Sequence, residues 1–188
     1  LPSKHLPDFK LRDADANARV TLRDLLAHRS GLERADIGWL AADGALSRKD
    51  VIAGLSTLSQ VAKPGAEFHY NNYAYVAAGE ATARAAALEF ETLIESRVFR
   101  PLGMSATTGD YKRLHSSADH SLGYLAATYQ PPRAKDVDTT VIAPAGGIIS
   151  SARDMAEWVR FAIEPHHGRW SNVVKAASAR EWMKPQVM

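Results

Sequence analysis

One short stretch of the chain places residues able to do acid–base chemistry in close order: Pro64-Gly65-Ala66-Glu67-Phe68-His69-Tyr70-Asn71-Asn72-Tyr73. A Pro-Gly pair makes a turn, a short extended piece follows, and Asn71 or Asn72 can cap the helix that comes next. Two readings stand side by side. In one, the stretch is a helix N-terminus with aromatic rings packed around it. In the other, Tyr70 and Asn72 form a Tyr-x-Asn site. A phenol near a helix N-terminus and a cation is pushed towards phenolate and can accept a proton. An asparagine two residues on offers both a donor and an acceptor to an amide-like substrate.

Much other chemistry is excluded by what the 188 residues lack. There is no cysteine, so disulfides, thiolate catalysis and Cys-ligated metals are absent from this sequence. There is no G-x-S-x-G, no H-E-x-x-H and no phosphate-binding glycine loop of the Walker kind. No serine has a lysine three residues later. His166 and His167 are adjacent, beside Pro165 and Gly168, and read as an exposed loop pair rather than metal ligands. His5, His28, His69, His115 and His120 share no spacing. The sequence therefore predicts no metal and no cofactor.

Lys+Arg is 23 and Asp+Glu is 21, a net charge of +2, with no long basic run. Neither nucleic acid nor an anionic membrane is expected as a partner. The longest mostly apolar stretch, Tyr73 to Leu88, is broken by Glu80, Thr82 and Arg84. It falls short of the ~20 apolar residues that span a bilayer. The opening Leu1-Pro2-Ser3-Lys4 has no initiator Met and no leader-like pattern, so the chain reads as beginning in mid-sequence. A composition 46% hydrophobic and 23% charged suits a single globular domain.

The elements that must hold Tyr70 and Asn72 are mostly helical. Hydroxyl caps followed three residues later by an acid stand at Thr21/Asp24, Ser47/Asp50, Ser151/Asp154 and Ser178/Glu181, and each predicts a helix start. Gly31, Pro64-Gly65 and Pro101 with Gly103 are read as helix stops. Tyr73 to Ala87 is Ala-rich and helix-favouring, and Phe90 to Phe99 carries an apolar face of Phe90, Leu93, Ile94 and Val98. Strand signals are thin: Thr139 to Ala143, and Leu122 to Tyr129. Ser105 to Val137, with Pro131-Pro132, reads as a long polar surface excursion. The expected core is Leu22, Leu25, Leu26, Ile52, Leu55, Val76, Leu93, Ile94, Val98, Leu102, Ile148, Met155, Trp158, Val159 and Phe161. The fold class expected is mostly α with a few short strands.

Four blocks, in order, then resemble the serine β-lactamase-related family of class C β-lactamases, D-alanyl-D-alanine carboxypeptidases, D-aminopeptidases and related esterases. Val20-Thr-Leu-Arg-Asp-Leu-Leu-Ala-His-Arg-Ser-Gly-Leu32 is similar to the family's Leu-Leu-x-His-x-Ser-Gly-Leu block. Pro64-Gly65 through Tyr73 resembles its Pro-Gly…Tyr-Ser-Asn segment. Phe99-Arg-Pro-Leu-Gly-Met104 and Pro144-Ala-Gly-Gly…Ser151-Ala-Arg-Asp-Met155 resemble its Pro-Leu-Gly-Met and Ala-Gly-Gly…Ser-x-x-Asp-Met blocks.

The resemblance implies a serine hydrolase working through an acyl-enzyme, with a small-molecule or peptide substrate: a β-lactam, a D-amino-acid peptide or an ester. Tyr70 would be catalytic, shuttling the proton of the attacking serine and of the leaving group. Asn72 would bind the substrate amide. Asn71 stands where serine is usual and takes no role. His28, Ser30, Gly31, Gly146, Gly147 and Asp154 are expected to be structural, and Arg29 to face solvent.

The family's Ser-x-x-Lys and its Lys-Thr-Gly or His-x-Gly motif are not matched. His166-x-Gly168 has the letters of the last but follows a helix. Residues 1–188 are thus expected to be the central, mainly helical part of one α/β (α+β) β-lactamase-like domain, truncated at both ends, with most of its antiparallel sheet outside the chain. Alone, that part is expected to be inactive, to expose an apolar patch and to self-associate. The parent is expected in the periplasm or secreted. The alternatives are a non-catalytic β-lactamase-like binding or scaffold module, and an unrelated all-α interaction domain.

Overall fold

The computed structural model describes residues 1–35, 38, 45–124, 137–164, 170 and 172–186. Its elements are α1 Ala14–Arg19, α2 Leu22–Leu26, α3 Arg48–Gly54, α4 Asn72–Ala85, α5 Phe90–Ile94, α6 Arg100–Leu102, α7 Tyr111–Ser116, α8 Ala152–Ile163 and α9 Ala176–Trp182, with 3-10 turns at Pro2–Lys4, Leu55–Thr57 and Thr140–Ile142. Among the described residues no strand forms. Leu32 bridges Gln60 and Thr108 bridges Ile149, each as an isolated antiparallel pair. The mainly helical expectation holds, and these two bridges fall outside both stretches expected as strands. The predicted strand at Thr139 to Ala143 is instead the 3-10 turn Thr140–Ile142. Of Leu122 to Tyr129, residues 125–129 lie outside the described set, as do Pro131, Pro132, His166, His167 and Gly168.

α4 organises the core. It packs on α2, α3 and α5. Ala74, Ala77, Ala78 and Ala81 are buried along it with Val76 and Tyr73. Small side chains let its neighbours approach closely, and Leu25, Leu32, Val51, Ile52 and Leu55 fill that contact. A second cluster joins Phe99, Leu102 and Met104 to Phe161 and Trp170, with Trp158 packed against it. Between α5 and α6, Glu95–Phe99 winds as a π-helix. This wider turn comes just before Pro101, which lacks an N–H and whose ring would collide with a carbonyl one regular turn back. Gly103 then ends the run at φ +77°.

The hydroxyl caps divide by what their acids do. Thr21/Asp24 and Ser47/Asp50 close reciprocal capping boxes. Ser151 accepts from the Asp154 amide, but the Asp154 carboxylate turns away. It is buried and accepts from the Ala106 amide at 2.8 Å and the Thr107 hydroxyl at 2.7 Å. Asp154 thus fastens α8 to the 104–108 loop rather than completing a cap. Ser178 lies inside α9, which starts after Lys175.

Two stops also differ. α2 ends at Leu26, five residues before Gly31, and the chain then passes through His28 in the left-handed region, at φ 54°. Gly31, at φ +75°, is required for another reason: a Cβ there would overlap the Ala62 carbonyl. The 3-10 turn after α3 ends at Thr57, well before Pro64-Gly65. The polar excursion from Ser105 contains α7.

Four expected core residues are exposed. Leu26, Ile148, Met155 and Val159 are 47%, 40%, 43% and 50% accessible. Met155, Val159 and Ile163 share one face of α8 at i, i+4, i+8 spacing, whereas Trp158 and Phe161 turn inward. The amphipathic pattern forms the expected helix, but its Met155, Val159 and Ile163 face is exposed. No described helix is long and apolar enough to cross a membrane.

Candidate active site

The candidate site is built around the N-terminus of α4, and its central residue points inward. Asn71 is fully buried and is the N-cap. Its Oδ1 accepts from the Ala74 amide at 2.8 Å, and its Nδ2 donates to the Glu33 carbonyl at 2.7 Å. Its own amide donates to His28 Nδ1 at 3.2 Å. Glu33 is held in turn by Ser59: its amide donates to the Ser59 carbonyl at 3.0 Å, and its side chain accepts from the Ser59 amide at 2.7 Å. One asparagine therefore ties the helix start, the 31–35 loop and the end of α2 together. Its amide group can give and accept at once, which a serine hydroxyl at this distance from two partners cannot do as fully.

The residues on either side of Asn71 are the two the sequence singles out. Tyr70 sits just outside the cap and is 38% exposed, while Asn72 is the first helical residue and half-buried. The Tyr70 ring packs on the His28 imidazole at 4.4 Å between centroids, and the Arg34 guanidinium carbon lies 5.6 Å from the Tyr70 ring centre. That distance is within cation–π reach. His28 also contacts Tyr75 at 5.3 Å and Phe68 at 5.6 Å. The structure thus keeps Tyr70 and Asn72 together, accessible, beside a helix N-terminus and a cation. Asn71 caps the helix with the His28, Phe68 and Tyr75 rings gathered beside it, as the structural reading expects, and Tyr70 stays 38% exposed, which the Tyr-x-Asn reading also needs.

Several neighbours of Tyr70 do more than their motifs indicate. Arg29 does not face solvent: it donates to the Gln186 carbonyl at 2.6 Å and to the Gly65 carbonyl, fixing the turn that leads into the site. His28 does more than brace a helix end, since it contacts the backbone of the site itself. Arg34 has no motif to announce it. The expectation for glycine holds at Gly147, where a Cβ would crowd the Thr139 carbonyl and Ala143 Cα, and fails at Gly146, which has open space. Ser30 is buried and its Oγ accepts from the Leu32 amide at 3.3 Å, so it is structural as expected.

A cavity of about 620 Å3 lies between α7 and the start of α8, lined by Thr108, Arg113, Ser116, His120, Ser150 and Ser151. It does not include Tyr70 or Asn72. Among the described residues no group of three or more His, Asp or Glu could hold a metal ion.

The model of the family described as Beta-lactamase matches residues 2–186. The "Unguisins hydrolase ungD" of Aspergillus violaceofuscus is 32% identical over 169 residues, 84% of this chain and 29% of that protein. "Protein flp" of Staphylococcus aureus is 28% identical over 171 residues, 87% of this chain and 33% of that protein. The chain therefore spans about a third of the length of these curated relatives.

Among solved structures, the octameric penicillin-binding protein homologue from Pyrococcus abyssi superposes with a TM-score of 0.80 at 23% identity, covering 98% of this chain and 42% of that one. A D-stereospecific amidohydrolase from Streptomyces gives 0.79 at 22% identity, covering 97% and 56%. These two likenesses concern the fold. The family's model runs through nearly the whole chain, across the helices that present Tyr70 and Asn72, and the chain belongs to the β-lactamase family.

Proposed function

We propose that the full-length protein is a serine hydrolase that forms an acyl-enzyme, and that this chain is its central helical part, supplying Tyr70 and Asn72. The observation that carries the reading is the arrangement about Asn71. A fully buried cap holds an accessible phenol on one side and a half-buried carboxamide on the other. Tyr70 takes the proton of an attacking serine and returns it to the leaving group. The Arg34 guanidinium lies over the Tyr70 ring, beside the N-terminus of α4. Asn72 hydrogen-bonds the amide or ester flank of the substrate and turns its carbonyl towards the nucleophile. The serine, its lysine and the oxyanion donors come from outside these 188 residues, since no Ser-x-x-Lys is present in them.

The substrate class proposed is a β-lactam, a D-amino-acid peptide or amide, or an ester. The curated relative named as a hydrolase, 32% identical, supports hydrolysis. An extracytoplasmic site of action accompanies this substrate class. The test is intact mass of the full-length protein after incubation with a β-lactam, a D-amino-acid amide and an aryl ester. The expected result is one covalent acyl adduct per protein with at least one of the three. Absence of any adduct, with no hydrolysis of any probe, would favour the non-catalytic scaffold instead.

A further inference from the structure

We propose that His28 is the positioning residue of this site, with its neutral imidazole setting the register of Tyr70 and Asn72 and its protonation releasing them. The inference rests on the reading that Tyr70 and Asn72 face the substrate. Its basis is that a single residue grips the chain on both sides of Tyr70. The His28 carbonyl accepts from the His69 amide at 2.8 Å, and its Nδ1 accepts from the Asn71 amide at 3.2 Å. The imidazole ring then packs on the Tyr70 ring between those two anchors. Backbone and ring of one residue together fix where the phenol stands.

The hydrogen bond dictates a protonation state. Nδ1 accepts, so the ring is neutral and carries its proton on Nε2. An imidazolium has a proton on Nδ1 as well, and would turn that proton towards the Asn71 N–H, donor against donor. The Asn71 amide belongs to the buried N-cap residue and would lose its partner. Acid therefore loosens the very bond that leads into the cap between Tyr70 and Asn72.

The left-handed backbone at His28, φ 54°, matters to the test. Asparagine tolerates that region well, and its Oδ1 can stand close to where Nδ1 stands. His28→Asn thus keeps an acceptor that does not titrate. Other charged or titratable groups surround His28. Arg29 follows it and is held by the Gly65 and Gln186 carbonyls. Glu33 and Arg34 come from the next loop. Tyr70 and Tyr75 contact the ring, and His69 pairs with Glu67 at 3.1 Å. His69 is the other imidazole nearby, and His69→Gln separates it.

The experiment is the pH profile of kcat for the full-length protein, with wild type, His28→Asn, His28→Phe and His69→Gln compared. Wild type and His69→Gln are expected to lose kcat as pH falls through the imidazole's titration. His28→Asn is expected to keep kcat within about threefold of wild type at neutral pH and to lack that acid limb. His28→Phe is expected to lose about 10- to 100-fold in kcat with KM little changed, the size of a misplaced catalytic group. An acid limb unchanged in His28→Asn, or full kcat in His28→Phe, overturns the proposal. A second readout does not depend on turnover. In 15N-asparagine-labelled protein, the Asn71 amide resonance should move with the His28 titration in wild type and stay still in His28→Asn. If no substrate is turned over, that resonance alone decides, and an Asn71 amide indifferent to the titration overturns the role of His28.

Discussion

Replacing Asn71 by alanine tests whether the site is held as described. The side chain is fully buried and makes two bonds, to the Ala74 amide and the Glu33 carbonyl. Losing an N-cap costs about 1 kcal/mol. Stranding a buried polar partner costs about 1–3 kcal/mol. The sum is about 2–4 kcal/mol, a large share of a stability of about 5–15 kcal/mol. At this chain size it lowers Tm by roughly 4–16 °C. Asn71→Ser keeps a capping oxygen and loses the bond to Glu33, so it should cost less, about 1–2 kcal/mol. Asn71→Asp keeps the cap but sets an acceptor against the Glu33 carbonyl, and should cost more than serine. The assay is urea unfolding followed by far-ultraviolet circular dichroism, with the slope compared as well as the midpoint. An alanine variant within about 0.5 kcal/mol of wild type, the range of a surface change, would refute the reasoning. So would serine and alanine variants of equal stability.

Arg48 joins four segments: its side chain, 15% exposed, bonds Glu91, lies 3.9 Å from Glu80, donates to the Thr140 and Val141 carbonyls and covers the Phe90 ring. Arg48→Met should destabilise by about 2–4 kcal/mol, and adding Glu91→Gln should recover part of it in a double-mutant cycle. Acid should weaken the fold. The Ser47 side-chain and backbone bonds hold Asp50 below the usual carboxylate range. At Asp138 burial pushes up, but the hydroxyl and amide of Thr140 outweigh it, and Glu181 is lowered by Lys184 and Arg23. Native values below unfolded ones stabilise above the unfolded carboxylate range, and that gain is lost as pH falls through the native values. As pH falls below that range the urea midpoint should therefore drop, and a midpoint that rises there contradicts this. Gly147→Ala should cost about 1–3 kcal/mol by overpacking against the Thr139 carbonyl. Gly146→Ala, with open space, should stay within about 0.5 kcal/mol in the same melts.

Helix positions were legible because their signals are local. Thr21/Asp24 and Ser47/Asp50 close capping boxes that the sequence pattern predicts. What each polar group does at long range was not legible. Asp154 carries the same cap pattern, yet its carboxylate reaches Thr107, 47 residues away. Nothing in the spacing separates the two cases. Helix periodicity also shows an apolar face without saying what covers it, which is why Met155 and Val159 were assigned to a core and are exposed. At the candidate site, residue type and motif single out Tyr70 and Asn72. They do not single out Arg34 and the grip of His28, because contacts between the 28–34 loop and the start of α4 arise only when the chain folds back on itself.

The central claim is that Tyr70 moves the proton of the acylation step. The most direct measurement is the pre-steady-state acylation rate of Tyr70→Phe against wild type, by rapid-quench intact mass on the full-length protein. The account predicts a folded variant that still binds the probe and acylates about 10²–10⁴-fold more slowly, the share of a positioned acid–base group. Acylation of Tyr70→Phe at the wild-type rate would remove Tyr70 from the mechanism.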